Sequence, residues 1–322
     1  MDEENITITD IGQIPLRIII LQTLQNSIRD YLNLCNSSND FMENCSEYEY
    51  VDLYLKTYWL IYSEDPENIP IDIDKYSYTD KYKELYEDLV KNTVELRNEN
   101  NNLNDSIWRY ISNLFNLKYL DLSNNKISEI KGLDILSKLT TLQLFYNKIS
   151  EIKGLDALIN LTTLGLSYNE ISEIKGLDAL INLTTLGLSD NEISEIKGLD
   201  KLINLNNLDL SNSKISEIKG LSKLINLKYL NLSYNKISEI KGLDALINLT
   251  TLDLSDNEIS EIKGLDKLTK LDNLDLSNNQ ISEIKGLDKL TKLYYLNLSN
   301  NQIPKTEKLV NLNDDNKIKF YY

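Results

Sequence analysis

No histidine occurs anywhere in the 322 residues. That removes His-based catalytic triads, His metal sites and the commonest general acid and base at neutral pH. Cysteine is nearly as scarce. The two thiols, Cys35 and Cys45, cannot build a Cys-rich zinc site, and without histidine the mixed sites are closed as well. Two cysteines also make no disulfide framework, so buried structural thiols in a reducing compartment are expected. The apolar-rich stretch Ile14–Leu21, itself interrupted by Arg17, falls well short of the roughly 20 residues of a membrane-spanning helix. It follows an acidic start, MDEEN, whose sign is wrong for a secretory leader. Phosphate loops of the G-x-x-x-x-G-K-[ST] and G-x-G-x-x-G types are missing, and nothing matches a calcium-binding loop. These absences point to a cytoplasmic protein with no membrane contact, no metal, no cofactor and no intrinsic enzyme activity.

Positive charge is also in short supply. The chain carries 34 basic and 50 acidic side chains, net −16. Phosphate binding needs clustered Lys and Arg, so nucleic acid is not an expected partner, and anionic membranes are disfavoured for the same reason. The deficit is concentrated: residues 1–116 hold 9 basic and 22 acidic side chains.

What the sequence has in abundance is internal repetition. Nine 22-residue units start at Leu117, Leu139, Leu161, Leu183, Leu205, Leu227, Leu249, Leu271 and Leu293 and fill 117–314 without insertion. The unit at 161–182 reads LTTLGLSYNEISEIKGLDALIN. Its L-x-L alternation predicts a short strand with inward leucines. Unit positions 1, 4, 6, 11, 14, 17 and 20 supply apolar side chains that no single unit can bury alone. Position 9 is Asn in eight units (Asn125, Asn147, Asn169, Asn191, Asn235, Asn257, Asn279, Asn301). A buried amide there can satisfy backbone groups of the turn and of the next coil. Ser213 stands at that position in the fifth unit and predicts a weakened rung. Position 16, from Gly132 to Gly286, predicts a backbone geometry or close approach that other residues resist. With strands about 4.8 Å apart, nine of them give a sheet roughly 40 Å long.

This pattern resembles the leucine-rich-repeat family, in particular the 22-residue class of the type-one phosphatase regulatory subunit and of bacterial internalins. The resemblance implies a curved solenoid with a parallel concave sheet that binds a protein partner. Variation between units falls mainly at positions 2, 3, 5, 8 and 10, and positions 3, 5 and 7 alternate with the inward leucines. The candidate partner-binding residues are therefore Tyr119, Phe145, Tyr146, Tyr168, Asp190, Asp209, Tyr229, Tyr234, Asp253, Asp256, Asp275 and Tyr295. They are aromatic towards one end and acidic towards the other, with Gly165 and Gly187 leaving a shallow bare patch. Phe145 interrupts the position-7 serines as an exposed anchor. The expected ligand is a protein with an apolar anchor and a basic segment, bound by a monomer.

Before the array, apolar spacing predicts helices over about 16–34, 46–62 and 79–97. Ile14-Pro15 with Ile18, Ile19, Leu21 and Leu24, then Leu32-Asn33-Leu34-Cys35, Phe41 and Tyr58-Trp59, resemble a divergent F-box. Tyr82-Lys83-Glu84-Leu85-Tyr86 is similar to a stretch that often follows such boxes. The resemblance implies docking on a Skp-type adaptor of a cullin–RING ubiquitin ligase through Pro15, Ile18, Leu34 and Phe41, with the repeats choosing the substrate. The competing expectation is a scaffold or regulatory subunit, phosphatase-regulator-like, whose N-terminal helices only cap the array.

The expected fold class is α+β. A small all-α F-box-like domain (1–66) and a helical linker (67–103) precede a leucine-rich-repeat solenoid (104–322). That solenoid has a cap helix at 104–116, repeats at 117–314, and a tail, KIKFYY, able to form a last strand.

Overall fold

The computed structural model describes residues 87, 90–97, 103–304 and 319–321. The chain divides into two units, Met1–Asn98 and Glu99–Tyr322. Pro15, Ile18, Leu34 and Phe41, both cysteines and the helices expected at 16–34 and 46–62 lie outside the described residues.

In the first unit, residues 90–92 are helical and are followed by strand β1, Glu95–Arg97. The helix expected to run to 97 therefore stops earlier. Two β-branched residues, Thr93 and Val94, follow it, and Glu95-Leu96-Arg97 then alternates exposed, buried, exposed with the period of a strand.

The second unit opens with a cap shorter than the helix expected over 104–116. The Asn104 side chain accepts a hydrogen bond from the Ser106 amide at 3.0 Å and starts a 3-10 turn, Asp105–Ile107. A single α-helical turn, Trp108–Ile111, completes it. Ser112 and Asn113 are weak helix formers, and the chain then turns so that Leu114 and Leu117 face inward. Two contacts tie the cap to the first repeat. The Trp108 indole donates to the Glu129 carbonyl at 2.6 Å, and the Asp105 carboxylate accepts from the Ser128 and Glu129 amides at 2.8 and 2.9 Å.

Each repeat contributes one three-residue strand at unit positions 3–5. These are β2 (Tyr119–Asp121), β3 (Thr141–Gln143), β4 (Thr163–Gly165), β5 (Thr185–Gly187) and β6 (Asn207–Asp209). The series continues with β7 (Tyr229–Asn231), β8 (Thr251–Asp253), β9 (Asn273–Asp275) and β10 (Tyr295–Asn297). Neighbours pair in parallel, in sequence order, offset by one 22-residue unit, as Leu142 beside Leu164 illustrates. The tail supplies β11, Lys319–Tyr321, parallel to β10 with Tyr295 beside Lys319. The core is a stack of leucine and isoleucine layers with almost no exposure, from Leu117 to Leu276. The nine-turn parallel solenoid is thus present; the all-α domain expected before it lies outside the described residues.

One polar ladder holds the coils in register. Asn147 accepts at Oδ1 from the Ile127 amide at 3.0 Å, while its Nδ2 donates to the carbonyls of Leu122, Leu144 and Phe145. The same arrangement recurs at Asn169, Asn191, Asn235, Asn257, Asn279 and Asn301. Ser213 is too short to join it, and its hydroxyl is buried without a partner. From Gly154 onward the position-16 glycines are required twice over. Gly220 has φ +81°, and a Cβ there would lie 2.1 Å from the Ile196 carbonyl oxygen of the preceding coil.

Candidate protein-binding face

The sheet face opposite the buried leucines is formed by unit positions 3, 5 and 7, and position 8 follows directly. Strand position 3 carries Tyr119, Tyr229 and Tyr295, all half-buried. Strand position 5 carries Asp209, Asp253 and Asp275. These aspartates have a structural duty. Oδ1 of Asp209 accepts from the Ser211 amide at 3.0 Å and its hydroxyl at 2.7 Å, and Asp253 and Asp275 hold Ser255 and Ser277 alike. Asn231 and Asn297 do the same for Ser233 and Ser299. The turn therefore needs only an acceptor; what a carboxylate adds is charge.

Tyr146, Tyr168, Asp190, Tyr234 and Asp256 are not strand residues. They occupy position 8, three residues beyond the strand, where every unit is left-handed with φ between 48° and 58°. They form a rim along the sheet rather than its floor. Asn and Asp tolerate that conformation, whereas a bulky tyrosine is strained in it. Tyr146 and Tyr168 stack with ring centroids 3.9 Å apart and planes 13° from parallel. The hydrogen bond to Tyr146 and the nearby Asp190 carboxylate push the Tyr168 phenol up to about 12.

Phe145 departs from its expected role as an exposed anchor. It is half-buried because Gly165 leaves room for it: a Cβ on Gly165 would fall 2.4 Å from the Phe145 ring and 2.0 Å from Gln143 Oε1. The bare patch expected at both glycines is thus filled at Gly165, which is buried, and remains only at Gly187. Gln143 Oε1 is left buried and without a partner beneath this packing.

The face has one sign of charge. Positions 3, 5, 7 and 8 of the nine units hold six carboxylates (Asp121, Asp190, Asp209, Asp253, Asp256, Asp275) and no lysine or arginine. Burial raises the Asp253 carboxyl above its ordinary value; the Ser255 bonds oppose this, and Asp275 and Asp209 push it further up. Tyr229, between Asp209 and Asp253, is raised by burial and then by those two charges. Among the described residues, no group of three His, Cys, Asp or Glu converges as metal ligands, and no helix is long and apolar enough to cross a membrane.

A second exposed feature lies off this face. Ile159, Ile181, Ile203, Ile225 and Ile247, all at position 21, form a column in which each side chain is 51–52% exposed. The following asparagines brace it, as Asn182 Nδ2 donates to the Ile159 carbonyl at 2.9 Å. Sequence reasoning does not single it out, because position 21 lies outside both the inward template and the outward strand positions. The signal was available: five isoleucines sit outside the inward template, while Thr269 and Thr291 take the same position in later units.

The leucine rich repeats (2 copies) family matches in eight overlapping stretches that run from 115 to 314. A search of curated proteins finds no match. Among solved structures, the functional domain of InlJ from Listeria monocytogenes is similar at 26% identity and a TM-score of 0.60, over 69% of this chain and 47% of that one. A leucine-rich-repeat protein of Leptospira interrogans is 33% identical with a TM-score of 0.58, over 62% and 53%. TLR13 in complex with ssRNA13 is 30% identical with a TM-score of 0.59, over 67% and 34%. The chain thus spans about half, or less, of the length of these three. InlJ includes a cysteine ladder, whereas the buried polar column here is asparagine. On the match across 115–314, with the parallel coils and asparagine ladder that account for it, the chain belongs to the leucine-rich-repeat family.

Proposed function

We propose that this is a non-catalytic recruiting protein that holds a basic protein segment against the outer face of its sheet. One observation carries the reading: six carboxylates and a stacked tyrosine pair share that face with no cation among them. Asparagine serves the position-5 turn as well as aspartate, and asparagine suits position 8 better than tyrosine. Neither the charge nor the aromatic rim is a demand of the fold. The carboxylates repel phosphate, so a protein rather than a nucleic acid is the partner. A short peptide rich in Lys and Arg should bind the full chain, more weakly as salt rises. Neutralising Asp209, Asp253 and Asp275 together to Asn, which keeps the acceptor as Asn231 does, should abolish the binding. A basic peptide that binds the neutralised variant equally well would sink the assignment.

The F-box resemblance adds a finer proposal: a cytoplasmic, substrate-recruiting subunit of a cullin–RING ubiquitin ligase, monomeric on its own. Its adaptor contact would involve Pro15, Ile18, Leu34 and Phe41. Co-expression of the full chain with a Skp-type adaptor, followed by size-exclusion chromatography, tests it. Co-elution lost on Pro15→Ala/Leu34→Asp is the expected result. Separate elution of a folded wild-type chain leaves the regulatory scaffold, whose N-terminal residues are dispensable for binding.

A further inference from the structure

Gly187 is a glycine that the backbone does not require. Its φ is not left-handed, and a Cβ there would meet the Ser167 hydroxyl at 3.3 Å, the edge of the Phe145 ring at 3.7 Å and the Gly165 Cα at 4.0 Å, with no backbone collision. Gly220, by contrast, is fixed by both φ and a carbonyl collision, and Gly165 is filled by Gln143 and Phe145. A strand glycine without such a demand often marks a place where another molecule approaches the backbone closely.

The gap has unlike walls. On one side Phe145 lies across the Gly165 rung. On the other, Asp209 is the direct strand partner of Gly187, one rung away or about 4.8 Å. Both hydrogen bonds from Ser211 fall on Oδ1 of that carboxylate. Beyond the strand ends stand the Tyr146–Tyr168 stack and Asp190. A flat floor, an aromatic wall and a carboxylate within one rung match a guanidinium, which is planar, stacks on rings and donates in a fork. An ammonium has the charge but not the plane.

We infer that Gly187, Phe145 and Asp209 form a subsite for a single arginine side chain of the partner. The inference rests on the basic-segment reading above and names the residue that anchors such a segment. The probe is N-acetyl-arginine methylamide, titrated into the full chain and followed through backbone amide NMR shifts at Gly187 and Asp209. Saturable shifts are expected, about fivefold weaker with the citrulline counterpart, which keeps the shape but lacks the charge. Gly187→Val fills the slot and should remove the response. Asp209→Asn should do so while keeping the acceptor for Ser211, as Asn231 does for Ser233. An otherwise unchanged spectrum shows that each variant is folded. Equal shifts with citrulline, or none at Gly187, would overturn the subsite. If the basic peptide still binds in that case, the broader reading stands and only the arginine slot falls.

Discussion

Asn235 bonds in four directions: its Oδ1 accepts from the Ile215 amide, and its Nδ2 donates to the carbonyls of Leu210, Leu232 and Ser233. One unit earlier Ser213 offers a hydroxyl that finds no partner, and the Ile193 amide loses the acceptor its counterparts have. Ser213→Asn should restore the rung and stabilise the protein by about 1–2 kcal/mol, the order of one or two recovered buried hydrogen bonds. A chemical denaturation curve with raised midpoint and unchanged slope is the expected record; no gain would mean that this coil has relaxed around the serine. Gly220 marks the opposite limit. Gly220→Ala imposes a left-handed φ of +81° on a side chain whose Cβ strikes a backbone oxygen, so a loss of about 2–4 kcal/mol is expected. Thermal unfolding monitored by circular dichroism would measure it, and a shift within error would show that the coil can open at little cost.

At the level of the strand, burial on β8 raises the Asp253 carboxyl above its ordinary value, and Asp275 on the next rung and Asp209 two rungs back add to it. The sign follows from linkage. A carboxyl raised on folding favours the folded state while protonated, and that contribution is lost as pH rises through the folded value. At neutral pH the ionised group is therefore a cost. Asp253→Asn keeps the acceptor for Ser255, as Asn297 does for Ser299, and removes the charge. The melting temperature should rise at neutral pH, and the difference should shrink as pH falls below the ordinary aspartate range. A difference independent of pH would assign the effect to packing instead.

Across the molecule, the stacking that buries the leucines also lines up whatever each unit exposes. The isoleucines of five successive units become one exposed apolar stripe, the kind of contiguous patch through which proteins associate. Ile181→Thr/Ile203→Thr/Ile225→Thr copies the choice made at Thr269 and Thr291. It should reduce light scattering at high protein concentration while moving stability by no more than about 1 kcal/mol, as expected for exposed positions. Unchanged scattering would show that the stripe drives no association. The eight Glu–Lys pairs at positions 13 and 15, such as Glu173–Lys175 at 3.1 Å, keep the returning coil mixed in charge. Exposed as they are, they contribute little stability.

The period, the inward leucines, the asparagine ladder with its fault at Ser213 and the glycine at position 16 were legible in the sequence. Each follows from a rule that acts within one unit or between identical neighbours: alternation along a strand, satisfaction of buried amides, the freedom of a residue without Cβ. The one-signed charge was legible too, since it is a count over positions. Other features needed the three-dimensional arrangement. The strand ends at position 5 and the chain turns left-handed at position 8, which moved Tyr146, Tyr168, Asp190, Tyr234 and Asp256 from floor to rim. Phe145 lies down because Gly165, twenty residues on, has no side chain in its path. Glu95–Arg97 is a strand although the upstream apolar spacing is helical. In each case the outcome depends on what the backbone does after the last strand residue, or on the space a neighbouring coil leaves. Repeat periodicity fixes which residues face inward, but it carries no information about how unlike outward side chains on adjacent rungs share the room above the sheet.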